Sequence, residues 1–268
     1  MKIRTTVTMF LFLAALAGCK YQRLTDTQQF SISEPFTRLV INSQVGDITI
    51  SGGTGVEVTV DKFASACVKS RAQQYLDQIE VTYEVDNNTC TITVHQPNTI
   101  VNTVYGGANL TITGVQGLPL DIDLDVGTIQ CASMNGGTIT NDVGNITVET
   151  ATGDIQLATA TGTVHVGDYT GDNFSLRTDV GNAGIHISGS GALDGSIKTD
   201  VGNINCEISK DRSTSAQLKT DVGDISITGI TDFTKSGFIS IEASFDLGAT
   251  DGNLTMKTGP GEITVNVF

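Results

Sequence analysis

The sequence predicts an all-β chain, a parallel β-solenoid with a short helix-containing N-terminal region, on three observations. TDVGNA at residues 178–183, TDVGNI at 199–204 and TDVGDI at 220–225 stand 21 residues apart. A looser phrase, Gly-x-apolar-polar-apolar, recurs along most of the chain. Each copy alternates with period two, which buries one face of a short strand and wets the other.

Residues 1–18 read as a lipoprotein signal peptide. Lys2 and Arg4 precede an apolar run at residues 7–16 that ends in Leu16-Ala17-Gly18-Cys19 and is too short for a permanent membrane helix. Small residues before a cysteine suit a peptidase that cuts there after the thiol is acylated. The spacing resembles bacterial lipoprotein precursors, which implies a lipidated Cys19 that anchors the mature chain, with residues 19–29 as its tether. Lys20 stands where an aspartate would favour inner-membrane retention, so the outer membrane is the expected address. Loss of Lys2 and Arg4 leaves 13 basic residues against 29 acidic ones. Such a surface is a poor partner for nucleic acid.

Residues 30–119 are expected to form the N-terminal part of the solenoid domain. Between strand-like runs at residues 56–60 and 79–85 lies FASACVKSRAQQYLDQI, which reads as a helix. Cys67 lies near its start and Cys90 beyond the following strand. A Cys67–Cys90 bridge would staple helix to sheet and stabilise by about 3 kcal/mol; the alternative is two free thiols. No Cys/His spacing suits structural zinc.

Residues 120–268 carry the repeats, expected as six or seven coils. Glycines at 46, 127, 144, 153, 162, 202, 223, 237, 252 and 261 are followed by apolar residues two and four positions on, with a polar residue between. Gly181 heads a variant in which two extra residues intervene before Ile185-His186-Ile187. The glycine supplies the bend before each strand. Propeller blades need about 40 residues, and a sandwich would not repeat one strand phrase. Stacked coils, each covering its neighbour's apolar row, fit best. Cys131 and Cys206 fill apolar slots and are expected to be buried thiols.

The stretch LVINSQVGDITISGGTGVEVTV at residues 39–60, with the repeated DVGNI, resembles a bacterial "putative adhesin" family of unknown function, related to the GIN-type adhesin head domain. The resemblance covers residues 30–268. It implies a right-handed parallel β-helix, secreted or surface-tethered, with no catalytic residues to carry over.

Asp125, Asp142, Asp179, Asp200 and Asp221 each precede Val-Gly, so stacking would set several in a column. A calcium column of Asp179, Asp200 and Asp221 is one reading. The preferred one gives each aspartate a local role, accepting backbone N–H bonds in its own turn. Arg177, Lys198 and Lys219 stand two residues before Asp179, Asp200 and Asp221 and would shield the column. His165 and His186 face outward and could stack as a metal pair, but no third ligand is evident, so solvated positions are expected.

The enzymatic rival is a polysaccharide lyase or hydrolase, which needs carboxylates and a base converging in a groove. Basic residues are scarce across the repeats and Trp is absent. The favoured function is therefore a non-enzymatic adhesion, assembly or envelope-scaffold module without a cofactor. Its expected partners are the membrane, through Cys19, and a protein or glycan.

Overall fold

The computed structural model describes residues 21–97 and 104–268. Cys19, Lys20 and the signal peptide lie outside the described residues. Among the described residues the fold is all-β with one helix, and the sheet is open and does not close as a barrel. The first part comprises β1 (Gln22–Ile32), β2 (Arg38–Val45), β3 (Ile48–Ile50), β4 (Val56–Ala66), α1 (Lys69–Leu76), β5 (Glu80–Asp86), β6 (Thr89–His95) and β7 (Val104–Thr113). The repeats supply β8 (Leu120–Val126), β9 (Ile129–Val143), β10 (Ile146–Thr161), β11 (Val164–Tyr169), β12 (Asn173–Val180), β13 (Ala183–Ile187), β14 (Gly191–Ala192), β15 (Asp194–Val201) and β16 (Ile204–Ile208). They continue with β17 (Arg212–Val222), β18 (Ile225–Thr228), β19 (Thr234–Gly237), β20 (Ile241–Leu247), β21 (Asn253–Pro260) and β22 (Ile263–Val267).

Parallel strands stack into two ladders. In the first, β2, β8, β9, β10, β12, β15, β21 and β17 pair in that order. In the second, β3, β9, β10, β11, β13, β16, β22 and β18 pair. One rung is a pass through both ladders, joined at a glycine. Period-two alternation turns the same positions inward on every rung. The second ladder therefore buries the column Ile48, Ile129, Ile146, Val164, Ala183, Ile204, Ile263 and Ile225. Each fully buried Ile, Val or Leu contributes about 1.5–3 kcal/mol. Where Phe174 enters the first ladder's column, its partner across the pair is Gly195, and a Cβ there would meet the ring at 2.3 Å.

Both ends are covered by antiparallel strands, as end rungs that cannot bury their outer faces require. At the N-terminal end β7 adds to β3 and carries β4 and β1, while β6 adds to β2 and carries β5. At the far end β20 and β19 cover β17. Arg212 is buried at an outer corner, where Nε donates to the Ser188 carbonyl at 2.8 Å and Nη2 to the Gly171 carbonyl at 3.0 Å.

Four expectations are corrected. The helix covers only the middle of its predicted stretch, Lys69–Leu76, because residues 63–66 continue β4 and residues 77–79 lead into β5. No two residues are inserted after Gly181: Ala183 fills the slot held by Val164 and Ile204 on the adjacent rungs, and Ile185 the next one. Gly237 begins no rung, since it turns the β19–β20 hairpin and leaves Ile239 exposed. The 21-residue copies are not all neighbours either. The C-terminal rung, β21 with β22, lies between β15–β16 and β17–β18.

Candidate functional site

The turn column and the outward face of the second ladder hold most of the residues singled out by the sequence. At every turn but the last, at Gly223, the glycine N–H donates to the carbonyl before the next turn's glycine, as Gly127 does to Val143, Gly181 to Val201 and Gly202 to Pro260. These glycines have φ between +136° and +159°, a region that favours glycine. Successive glycines also touch: a Cβ on Gly202 would stand 1.8 Å from the Gly181 carbonyl oxygen.

The residue three positions before each turn glycine points inward and satisfies this column. Asn141 Nδ2 donates to the Gly127 carbonyl at 2.8 Å, Thr159 Oγ1 to Gly144 at 3.0 Å and Thr178 Oγ1 to Gly162 at 2.9 Å. Thr258 donates to the Gly202 carbonyl at 2.7 Å and Thr220 to the Gly261 carbonyl at 2.8 Å. Leu124 interrupts this polar row. Ser43 Oγ and Asn141 Oδ1, on the residues paired with it from either side, are the buried side-chain polar atoms without a partner among the described residues.

The residue after the glycine supplies the remaining caps. Asp47 Oδ1 accepts the Thr128 N–H at 2.8 Å, Asn145 Oδ1 the Thr163 N–H at 2.8 Å, and Asn182 Oδ1 the Asn203 N–H at 2.9 Å. The turn role expected of Asp179, Asp200 and Asp221 thus belongs to the threonine before and the Asn or Asp after the glycine. Sequence reasoning missed this, although Gly-Asp and Gly-Asn pairs recur at the turns and carried the signal.

The aspartates themselves point outward. Asp179 accepts from Arg177 at 2.9 Å, and Asp200 pairs with Lys198 at 2.8 Å. Lys198 and, more weakly, Arg177 and Lys257 hold the Asp200 carboxyl below the usual range. Lys219 pairs instead with Glu242 at 2.7 Å. No continuous column forms, because the register sets Gly259 between Asp200 and Asp221, and Ala160 between Asp142 and Asp179. Among the described residues no group of three or more His, Cys, Asp or Glu could hold a metal ion. Asp125 behaves oppositely to Asp200: burial, then Asp142 and Asp123, push its carboxyl up.

The expected Cys67–Cys90 bridge is absent. Cys90 is a free buried thiol on the inward face of β6, in register with Leu39, whereas Cys67 follows β4 in the other stack of strands. Cys131 and Cys206 are likewise free and buried, and burial pushes both thiols up to about 12.

His165 and His186 are not stacked, because the partner of His165 across the ladder is Gly184. His186 Nδ1 lies 2.7 Å from Glu207 Oε2, and its ring stacks on Phe268 with centroids 4.8 Å apart. An open groove of about 950 Å³ runs along this face, lined by His165, His186, Asp168, Glu207, Asn205 and Asn266 among others. Phe268 reaches the His186 ring only because β22 lies beside β16. The groove offers hydrogen bonds and the imidazoles of His165 and His186, a binding surface in chemical terms.

No family model and no curated protein matches the chain. Among solved structures, a putative cell adhesion protein from Clostridium sporogenes is 16% identical with a TM-score of 0.34, covering 92% of this chain and 100% of its own. A putative adhesin from Bacteroides fragilis is 14% identical with a TM-score of 0.38, covering 90% and 97%. A putative lipid binding protein from Parabacteroides distasonis is 10% identical with a TM-score of 0.26, covering 91% and 96%. Two of the three share the description of the family that the sequence resembles. At these TM-scores the likenesses carry no argument.

Proposed function

We propose that this chain is a non-enzymatic module of the cell envelope, lipid-anchored at Cys19 and facing the periplasm or the surface, whose ladders continue as a right-handed parallel β-solenoid used for adhesion or scaffolding. Right-handed crossover is the rule for parallel strands joined within a sheet. One observation carries the functional reading: the outward polar residues of successive rungs are engaged with one another. His186 pairs with Glu207, Thr228 Oγ1 donates to Asn266 Oδ1 at 3.0 Å, and Arg177 Nη2 lies 3.8 Å from Asp200 Oδ2 on the next rung. Rows of mutually satisfied polar groups make a broad recognition face. Hydrolysis or elimination would instead need a carboxylate and a base converging on one reacting atom. No helix among the described residues is long and apolar enough to cross a membrane, and the anchoring is assigned to Cys19 from the sequence.

Two measurements test the proposal. Acidic and neutral polysaccharides incubated with the protein, with and without Ca²⁺, should release no product; reproducible depolymerisation would sink it in favour of the enzymatic rival. Cys19→Ala should move the protein from the membrane to the soluble fraction, and unchanged fractionation would remove the anchor.

A further inference from the structure

At the corner between the two ladders, the residue before each turn glycine lies in the open. Val126, Val143, Val180, Val201 and Val222 are 40–56% exposed. The pairing register sets them in one row, with Thr161 and Pro260 in the two remaining places. Beyond Val222 the β19–β20 hairpin extends it, because Ile241 lies opposite Thr220 and the tip carries Phe238, 96% exposed, and Ile239. With the tip the row is about 34 Å long at strand spacing. A continuous exposed apolar strip of this kind marks an interaction surface.

The charges beside the row say what fits it. The outward residues three places before its members read Asp123, Thr140, Ala158, Arg177, Lys198, Lys257 and Lys219 along the stack, so charge passes from acidic through neutral to basic. Among the described residues Asp123, Asp125 and Asp142 have no ion pair at the acidic end. Lys257 has none at the basic end, where Gly259 stands in the place of Asp200 and Asp221. We propose that this corner is a self-association surface, on which a second copy of the chain docks antiparallel across a two-fold axis, valine row on valine row. Val180 is the middle of the seven places, so an axis through it pairs Val126 with Val222 and the Asp142 rung with the Lys257 rung. The acidic end of each copy then meets the basic end of the other. Such a contact uses one patch twice and closes at two copies. A strip about 24 Å wide along the row reaches the roughly 800 Å² per partner of a standard interface. A membrane surface suits the row less, because unpaired carboxylates border it and anionic headgroups repel them. The inference does not depend on how the groove of the second ladder is used. The competing account is a monomer in which each valine only favours the extended backbone before the bend.

Sedimentation velocity of the purified protein at about 50 µM, above the micromolar end expected for an interface of this size, should give the mass of a dimer. Val180→Lys sets a cation against its own copy at the axis and should weaken dimerisation by about tenfold or more. Val68→Asp, at a similarly exposed valine away from the row, should leave the mass unchanged. Asp142→Lys and Lys257→Glu should each weaken the dimer, and the double variant should recover it, since the exchange restores opposite charges across the axis. A monomer at every concentration, whether or not it sediments with lipid vesicles, overturns the proposal. So does a folded Val180→Lys that dimerises as well as the unaltered protein, or a mass that grows beyond two copies. Failure of the double variant to recover overturns it too, and this exchange decides alone if Val180→Lys does not fold.

Discussion

The carbonyl oxygen of Gly181 stands 1.8 Å from the place that a Cβ on Gly202 would occupy. Substitution there must move one rung away from the next. Gly202→Ala should cost roughly 2–5 kcal/mol, from overpacking together with backbone strain at φ +144°. Gly191 is the control, with φ +96° and no heavy atom within 4 Å of an added Cβ, so Gly191→Ala should cost only about 1–2 kcal/mol. Urea unfolding of both variants measures the difference, and equal losses would deny that the glycines are a packing column.

Thr258 and Asp200 separate the inward and outward halves of the turn. Thr258→Val removes the 2.7 Å donor to the Gly202 carbonyl, which keeps Thr199 Oγ1 at 3.0 Å, and the hydroxyl that lies 2.8 Å from Thr199; it should lose about 0.5–1.5 kcal/mol. Asp200→Asn touches only exposed ion pairs, with Lys198 and Arg177, and should change stability by less than about 1 kcal/mol. Millimolar Ca²⁺ should leave the melting temperature of the unaltered protein in place. A large rise that Asp200→Asn abolishes would restore the metal reading.

Asp125 should leave a signature in the pH dependence of stability. Its folded carboxyl is raised above the ordinary 3.8 by burial, then by Asp142 and Asp123. The folded state therefore holds this proton more tightly than the unfolded state. The resulting stability is full below pH 3.8 and is lost as pH rises through the higher, folded value. Asp125→Asn should accordingly melt higher than the unaltered protein at pH 7, and the gap should close as the buffer approaches pH 3. A gap that widens on acidification would reverse the assignment.

Cys90, Cys131 and Cys206 should resist iodoacetamide in the native protein at pH 8. Burial raises the first to about 11, with help from Glu34, and the other two to about 12. All three should react within minutes in denaturant. Mass spectrometry after brief labelling reads the outcome, and native modification of Cys131 or Cys206 would contradict their place in the inner column.

The parts of the fold that the sequence made legible are those set by neighbours along the chain. Alternation around Ile129 or Ile204 placed these residues inside, and the glycine before each strand marked the bend. Pairing was less legible, because TDVGNI and TDVGDI look like consecutive rungs at a 21-residue spacing while KTGPGEI, a weaker copy, lies between them in space. Gly237 misled for the opposite reason: its local phrase matches, but antiparallel pairing of β19 with β20 turns it into a hairpin. The phrase Thr-Asp-Val-Gly displayed both candidate caps, and only the side-chain direction distinguishes the inward Thr199 from the outward Asp200. The meeting of His186 with Phe268 had no local trace.

The place of the C-terminal rung also bears on the order in which the molecule can be completed. Ribosomes make β15, β16, β17 and β18 before β21 and β22, yet the earlier strands are hydrogen-bonded through the later ones. Until the last 16 residues arrive, two nascent edges with matching backbone spacing face one another across a gap. Premature closure of that gap would give a shortened stack with the tail expelled. Anything that delays closure of the stack until the closing strands are available would remove this hazard.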